Sequence, residues 1–378
     1  MTAWRAFELR GLDGANPLGF LAAVGTLVVA VRSGQGAARL RWKREYRWLP
    51  VLEGVTCPDE ASLCRILAAT LRERAVSGGD QDQLAAAQKT MEIAKTAIKR
   101  KKEELRRRKL KGTDRTEAHE RELRPLLEQL RRARENWIEA RALGAGRPEL
   151  ALGKRVEDAT GGEYRELARR LLAASGPSGR DALDHLAALG SDACVDGQGQ
   201  LEPTPFEFTR GSGHQFLLED VRKLIGYVTP ERVGETLLRP WGYRDPGLSM
   251  RWDPVEDRRY ALLDRDPSDE GARTVWMGNL LAYHGLALFP TAPGTGRLLA
   301  TGWLEENGRL AFTWPLWEAA ANCDMVRSLL GLAELVRPRP DAAVLRARGI
   351  AAVYRAGRVE VGRGSNRKIN FSPARALC

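Results

Sequence analysis

Leu12-Asp13-Gly14-Ala15-Asn16-Pro17-Leu18-Gly19-Phe20-Leu21-Ala22-Ala23-Val24-Gly25-Thr26-Leu27 runs on into Val28-Val29-Ala30-Val31. Asn16 is a good helix N-cap, and Pro17 suits the first helical position, where no backbone N–H is needed. From Leu18 to Val31 the chain is apolar for 14 residues. That is too short for a helix to span a bilayer, which takes about 20. The stretch therefore predicts a buried helix, apolar on nearly every face and central to its domain. Working outward, Trp4 to Leu9 reads as a strand, with turn residues Gly11, Asp13 and Gly14 after it. Ser33, Gly34 and Gly36 end the helix. Arg39 to Trp42 and Arg47 to Leu52 read as strands, and Pro58-Asp59-Glu60 starts a second helix reaching about Ala75. The opening is β-α-β-β-α.

Gly78-Gly79 breaks this pattern. Leu84, Met91, Ile98 and Leu105 then follow at intervals of seven, as do Leu123, Leu130 and Trp137. Ala87, Ala94, Leu126, Ala133 and Ala140 fill the intermediate seam positions. Gly112-Thr113-Asp114 lies between the arms, with Asp114 and Glu117 spaced as a capping pair. This predicts two long helices folded back on each other. Pro125 requires the second helix to start near it or to kink there. The fold expected is α+β: a mixed α/β globular body with a projecting, basic, antiparallel helical hairpin. The organisation expected is 1–79, an N-terminal α+β segment; 80–146, the hairpin; and 147–378, a C-terminal α+β domain rich in Trp and Pro.

The 378 residues carry a formal net charge of +11, and its placement matters more than its size. Leu84 to Ala142 holds 18 Lys and Arg against 10 Asp and Glu, a net +8. Asp341 to Cys378 holds 8 against 2, a net +6. A localised basic patch attracts polyanions and releases their counterions on binding. The densest patch is the hairpin tip: Lys99, Arg100, Lys101, Lys102, Arg106, Arg107, Arg108, Lys109 and Lys111, interrupted by Glu103 and Glu104. Such a run covers all sides of a helix, so pairing along one face does not account for it. It reads either as a solvated helix end or as a finger on a phosphate backbone.

The rest of the chain offers weaker candidates. Helices are expected over Tyr164 to Ala174, Arg180 to Leu189, Glu219 to Tyr227, Val275 to Ala287 and Asp324 to Val336. Strands are expected over Arg297 to Trp303, Arg309 to Trp314, Gly349 to Tyr354 and Val359 to Val361, the last two joined by a turn at Ala356-Gly357. In Phe208-Thr209-Arg210-Gly211-Ser212-Gly213-His214 the glycines give backbone access, and Arg210 and His214 could meet phosphate; a structural turn is the competing reading. No Gly-Lys-Ser/Thr follows, so it is not a phosphate loop of the nucleotide-hydrolase type. Arg363, Asn366, Arg367 and Lys368 form a short basic loop open to the same two readings. Trp252-Asp253-Pro254 with Glu256, Asp257, Asp264, Asp266 and Asp269 supplies the carboxylates that a metal-dependent nuclease needs, but arginines such as Arg258 and Arg259 alternate with them and could neutralise them. Six of the ten tryptophans crowd the C-terminal half; most are expected in the core, with one or two left at a surface to stack a base beside arginine. The five cysteines are scattered and form no CxxC, arguing against disulfides or structural zinc and for a reduced cytoplasm. The four histidines show no ligand spacing. No catalytic set, metal or cofactor is expected.

The opening from Leu12 to Leu27 resembles the large-subunit proteins of type I CRISPR Cascade complexes, most closely the type I-G (formerly I-U) group. The likeness extends to Arg251-Trp252-Asp253-Pro254 with Asp257-Arg258-Arg259-Tyr260, and to Leu288-Phe289-Pro290 followed by Thr301-Gly302-Trp303. The basic hairpin lies outside it. The resemblance implies a non-catalytic subunit at one end of a crRNA-guided complex. It would contact crRNA, target double-stranded DNA and the other Cascade subunits, help recognise the protospacer-adjacent motif and open the duplex, and recruit the helicase–nuclease. In such systems base pairing reads sequence, while the protein reads a short motif and the backbone. Two other readings stand beside it: a metal-dependent nuclease built on Asp253 and Asp257, and an interaction protein whose hairpin pairs with a partner helix.

Overall fold

The computed structural model describes residues 4–72, 78–144, 147–173, 177–209, 215–256, 273–294, 297–306, 308–361 and 368–378. Helix makes up 51% and strand 20%, distributed over several small sheets, so the fold is α+β. Two units share the chain. One comprises 1–73 together with 153–378, and the other 74–152.

In the larger unit the opening is strand β1 (Arg5–Glu8), helix α1 (Pro17–Arg32), strands β2 (Arg39–Arg44) and β3 (Trp48–Val55), and helix α2 (Glu60–Arg72). Asn16 caps α1 as its sequence predicts, its side-chain oxygen accepting from the Gly19 N–H at 3.0 Å. Every residue of α1 from Pro17 to Ala30 is buried. The strands pair antiparallel in the order β1-β3-β2.

The two flanking stretches, 1–79 and 147–378, read in sequence as separate domains; they form one body. The reason is α1, whose apolar girth is covered mainly by a helix from the far end of the sequence, α10 (Trp276–Gly285), itself buried throughout. A single 16-residue helix that is apolar all round cannot be enclosed by the 1–79 segment alone. Four antiparallel strands, β8 (Trp303–Glu306), β9 (Arg309–Trp317), β10 (Ile350–Val361) and β11 (Lys368–Phe371), complete the core in the order β11-β10-β9-β8. Phe20 on α1 lies 5.7–6.5 Å from the rings of Trp42, Phe289, Phe312, Trp314 and Trp317, so helix pair and sheets share one aromatic core. The buried indoles of Trp314 and Trp317 keep their N–H groups satisfied: Trp314 donates to the Gly14 carbonyl and Trp317 to that of Leu40, each at 2.8 Å.

Two local expectations are corrected and one helix is added. Ala356-Gly357 is not a turn. β10 runs straight through it, Ala356 opposite Phe312 and Gly357 opposite Ala311. The residues are small because Ala356 is buried and Gly357 exchanges hydrogen bonds with Ser372 (2.9 and 2.8 Å), where the sheet passes to its next strand. The strand expected over Arg297 to Trp303 is split into β7 (Leu298–Ala300) and β8 by a left-handed Gly302. Helix α9 (Pro230–Leu238) has no counterpart among the expected elements, although Thr229-Pro230 repeats the capping chemistry of Asn16-Pro17.

The smaller unit is the expected pair of helices. Helix α3 (Gly78–Arg107) packs on α5 (Arg124–Gly144), joined through the short α4 (Gly112–Ala118). Met91, Ile98, Leu105, Leu123 and Ala133 are buried on the seam, with Leu126 and Leu130 packed beside them; the side chains of Leu84 and Ala140 lie outside the described residues. The reversal falls at Lys109-Leu110-Lys111, with Lys109 at φ 50°, rather than at Gly112-Thr113-Asp114, and Gly112 already opens the return arm. Pro125 therefore sits well inside that arm. A wide π-helical turn over His119–Leu123 precedes it, in which the Arg124 N–H reaches back to the His119 carbonyl. One extra residue in that turn shifts the hydrogen-bond ladder just where the Pro125 ring would crowd the preceding turn.

Candidate nucleic-acid interface

The hairpin tip sorts its charges by face. Lys101 reaches Glu104 at 2.7 Å and Glu122 of the return arm at 3.4 Å, and Arg108 reaches Glu122 at 2.7 Å. These contacts hold the Glu122 carboxyl below the usual carboxylate range, Arg108 contributing most. At 100° per residue, Lys101 and Arg108 fall on one side of the seam defined by Ile98 and Leu105. Lys99, Lys102 and Arg106 fall within about 60° of one another on the other side, with Arg100 and Arg107 pointing outward. Lys99, Arg100, Lys102, Arg106, Arg107, Lys109 and Lys111 are exposed, and none has a carboxylate within 4.0 Å among the described residues. One flank of the tip is neutralised by ion pairs; on the other the cations outnumber the single acid, Glu103, and make no ion pair with it among the described residues. From Lys99 to Arg106 that stripe climbs about 10 Å, comparable to three phosphates of a duplex strand at about 3.4 Å each.

The basic C-terminal stretch is less free than its composition suggests. Arg355 is buried. It binds Glu306 and the carbonyls of Leu335, Arg337 and Pro338. Arg375 also pairs with Glu306, at 2.6 Å, and Arg358 lies over the Phe208 ring. Lys368 is exposed at the start of β11, while Arg363, Asn366 and Arg367 lie outside the described residues, as do Arg210 and His214. Both sides of 210–214 are anchored: Phe206 and Phe208 are in the aromatic core, and the Gln215 side chain accepts from Arg251 at 2.6 Å.

The stretches that carry the resemblance meet in space. Asn16, having capped α1 with its oxygen, donates from its amide nitrogen to Asp253, 237 residues away, at 2.9 Å. Asp253 is fully buried. Its Oδ1 also accepts from the Val255 N–H and its Oδ2 from the Tyr243 hydroxyl, at 3.0 and 2.8 Å. Thr301 donates to the Pro290 carbonyl, and Phe289 packs edge-on to Phe20. With both oxygens engaged by the chain, Asp253 is a joint between α1 and the 243–256 segment rather than an open metal ligand. Asp257, Asp264, Asp266 and Asp269 lie outside the described residues, and no group of three metal-ligating side chains occurs among the described ones.

Next to this joint Glu256 is half-buried, its carboxyl taking hydrogen bonds from the Ser249 and Thr274 hydroxyls. Burial pushes it up to about 7, against those hydroxyls. Asn279 braces the same place, accepting from the Met250 N–H and donating to Thr274 Oγ1. A carboxyl whose folded value lies above its unfolded one adds stability at low pH. It loses that contribution as pH rises from about 4.5 towards about 7, at about 1.4 kcal/mol per pH unit. Glu256→Gln is therefore expected to match the native chain in urea melts near pH 4.5 and to exceed it by about 3 kcal/mol above pH 7. Parallel pH profiles for the two proteins would contradict this assignment.

The chain matches no family model, and no curated protein matches it. No helix among the described residues is long and apolar enough to cross a membrane.

Proposed function

We propose that the chain is a non-catalytic nucleic-acid-binding subunit that grips the sugar–phosphate backbone with its helical hairpin. The observation that carries this reading is the asymmetry of the tip: Glu104 and Glu122 quench one flank, while Lys99, Lys102 and Arg106 stand unpaired on the other among the described residues. A merely solvated helix gains nothing from such segregation, whereas a backbone clamp needs a continuous cationic face and no base-reading groups. The partner-helix reading is less well supported, because the apolar seam is already filled by the hairpin's own second arm. The nuclease reading loses Asp253, whose oxygens are hydrogen-bonded within the chain.

The more specific role is that of a large subunit in a crRNA-guided Cascade-type complex, helping to recognise the protospacer-adjacent motif, open target DNA and recruit a helicase–nuclease in the cytoplasm. It rests on the resemblance of Leu12 to Leu27, of Arg251 to Pro254 with Asp257 to Tyr260, and of Leu288 to Pro290 followed by Thr301 to Trp303. Expression with the neighbouring genes tests it. The expected product is a stable ribonucleoprotein holding a short RNA of uniform length that retards duplex DNA. A chain that purifies free of partners and RNA, and cleaves DNA with added magnesium or manganese, would replace this reading with the nuclease.

A further inference from the structure

A second feature lies on the larger unit. The segment that follows α9, from Arg239 to Asp245, rims a cleft of about 180 Å³ floored by Thr236, Thr274 and Met277. Trp241 lines it and is only half-buried, unlike the core tryptophans. Its ring is held from two sides: the indole N–H donates to the Thr236 carbonyl at 3.0 Å, and Tyr243 packs edge-on with centroids 6.2 Å apart. Tyr243 in turn is fixed by its hydroxyl on Asp253 and has a left-handed backbone, φ 47°. Of the four non-glycine residues with positive φ among the described ones, Tyr243 lies in this segment, and Leu248 and Arg251 follow shortly after it. Backbone strain of this kind is retained where surrounding contacts enforce it, often at binding sites.

Two cations share the cleft lining with the ring. Arg239 and Arg244 are exposed, and neither has a carboxylate within 4.0 Å among the described residues. Arg232, by contrast, is tied to Asp245 at 2.9 Å and stacked over Trp276. Glu235 is the remaining acid of the lining. A clamped indole in a cleft lined by two guanidinium groups without ion pairs is the chemistry that takes an unpaired base on the ring and the adjoining phosphates on the cations.

We propose that the Arg239–Trp241–Arg244 cleft is a binding site for single-stranded nucleic acid, in which one base stacks on Trp241 and its flanking phosphates meet Arg239 and Arg244. This rests on the nucleic-acid reading above but assigns a different site and a different strand state. The hairpin would hold backbone of either form, and the cleft only an unpaired strand.

The test uses the full chain and a fluorescein-labelled oligothymidine of about 10 nucleotides, a length within the usual footprint of such sites, against a blunt duplex of equal length, by anisotropy across a salt series. Trp241→Leu is expected to weaken the oligothymidine about 10-fold or more, to leave duplex binding within about twofold, and to leave the salt slope unchanged, since stacking releases no counterions. Arg239→Ala/Arg244→Ala alters only exposed side chains and serves if Trp241→Leu folds poorly; it is expected to lower the single-strand salt slope by about 1.4. Native single-strand affinity and slope in that double variant overturn the cleft, whereas duplex binding by the same protein would leave the hairpin reading standing. Absence of binding to either probe by the native chain overturns both. Competition by an acidic peptide but not by unlabelled oligonucleotide would assign the cleft to a protein ligand instead.

Discussion

Gly25→Ala is expected to destabilise the chain by about 3 kcal/mol or more, or to prevent folding altogether. A Cβ on Gly25 would sit 1.7 Å from the Leu281 carbonyl oxygen, 2.6 Å from its carbon and 2.9 Å from the Gly285 nitrogen. The approach is reciprocal, since a Cβ on Gly285 would lie 2.5 Å from the Leu21 carbonyl oxygen. All these obstacles are backbone, so no side chain can swing away, and α1 and α10 would have to separate. Both helices are buried along their length, and α1 carries Phe20 into the aromatic core. Separation therefore opens the centre of the larger unit rather than its edge, and interiors packed at crystal-like density transmit such a shift. Gly36→Ala is the control. It has open space where its Cβ would go and no left-handed backbone, so its stability in urea is expected to stay within about 0.5 kcal/mol of native. Equal midpoints for Gly25→Ala and Gly36→Ala would mean that the two helices do not touch at backbone level.

What the sequence discloses and what it conceals follow from the range of each interaction. The Asn16 cap, the all-round apolar α1 and the heptads of the hairpin are local patterns, and each is readable from a few neighbouring residues. The second half of Asn16 is not: its amide nitrogen serves Asp253, 237 residues on, and nothing near either residue announces the partnership. The same holds for Glu122, which lies across the seam from Lys101 and Arg108. In sequence the tip is a basic run broken only by Glu103 and Glu104, and the packing of the return arm divides it into a quenched and an open flank. Ala356-Gly357 misleads for a different reason. Small residues suit a turn and also suit a crowded strand, and the choice is made by Phe312, Ala311 and Ser372, which are distant in sequence or on another strand. The tryptophans illustrate both cases. Their bulk and apolarity place most of them in the core, where they are found, but which one stays at a cleft depends on how the segment after α9 is pinned to Asp253.

Lys99→Glu/Lys102→Glu/Arg106→Glu is expected to lower affinity for duplex DNA of any sequence by about 100-fold at low salt, taking about 1 kcal/mol per cation. It should also flatten the dependence of log K on log salt by about 2.7, or about 0.9 for each of three phosphates no longer neutralised. The seam and the internal ion pairs are untouched by these three changes, since Ile98, Leu105, Lys101, Arg108 and Glu122 all remain. The helical circular dichroism signal and melting behaviour should therefore match the native chain. Lys101→Glu/Arg108→Glu provides the contrasting variant. It removes two cations of the same tip, but ones already satisfied by Glu104 and Glu122, and it places like charges beside Glu122. Its expected effect is a less stable hairpin with a smaller change in salt slope than the triple variant. If phosphate backbone is the ligand, the slope follows the open flank and the melting follows the quenched one. Equal slopes for the two variants would show that net charge alone draws the polyanion and that the sorting of cations by face has no part in binding.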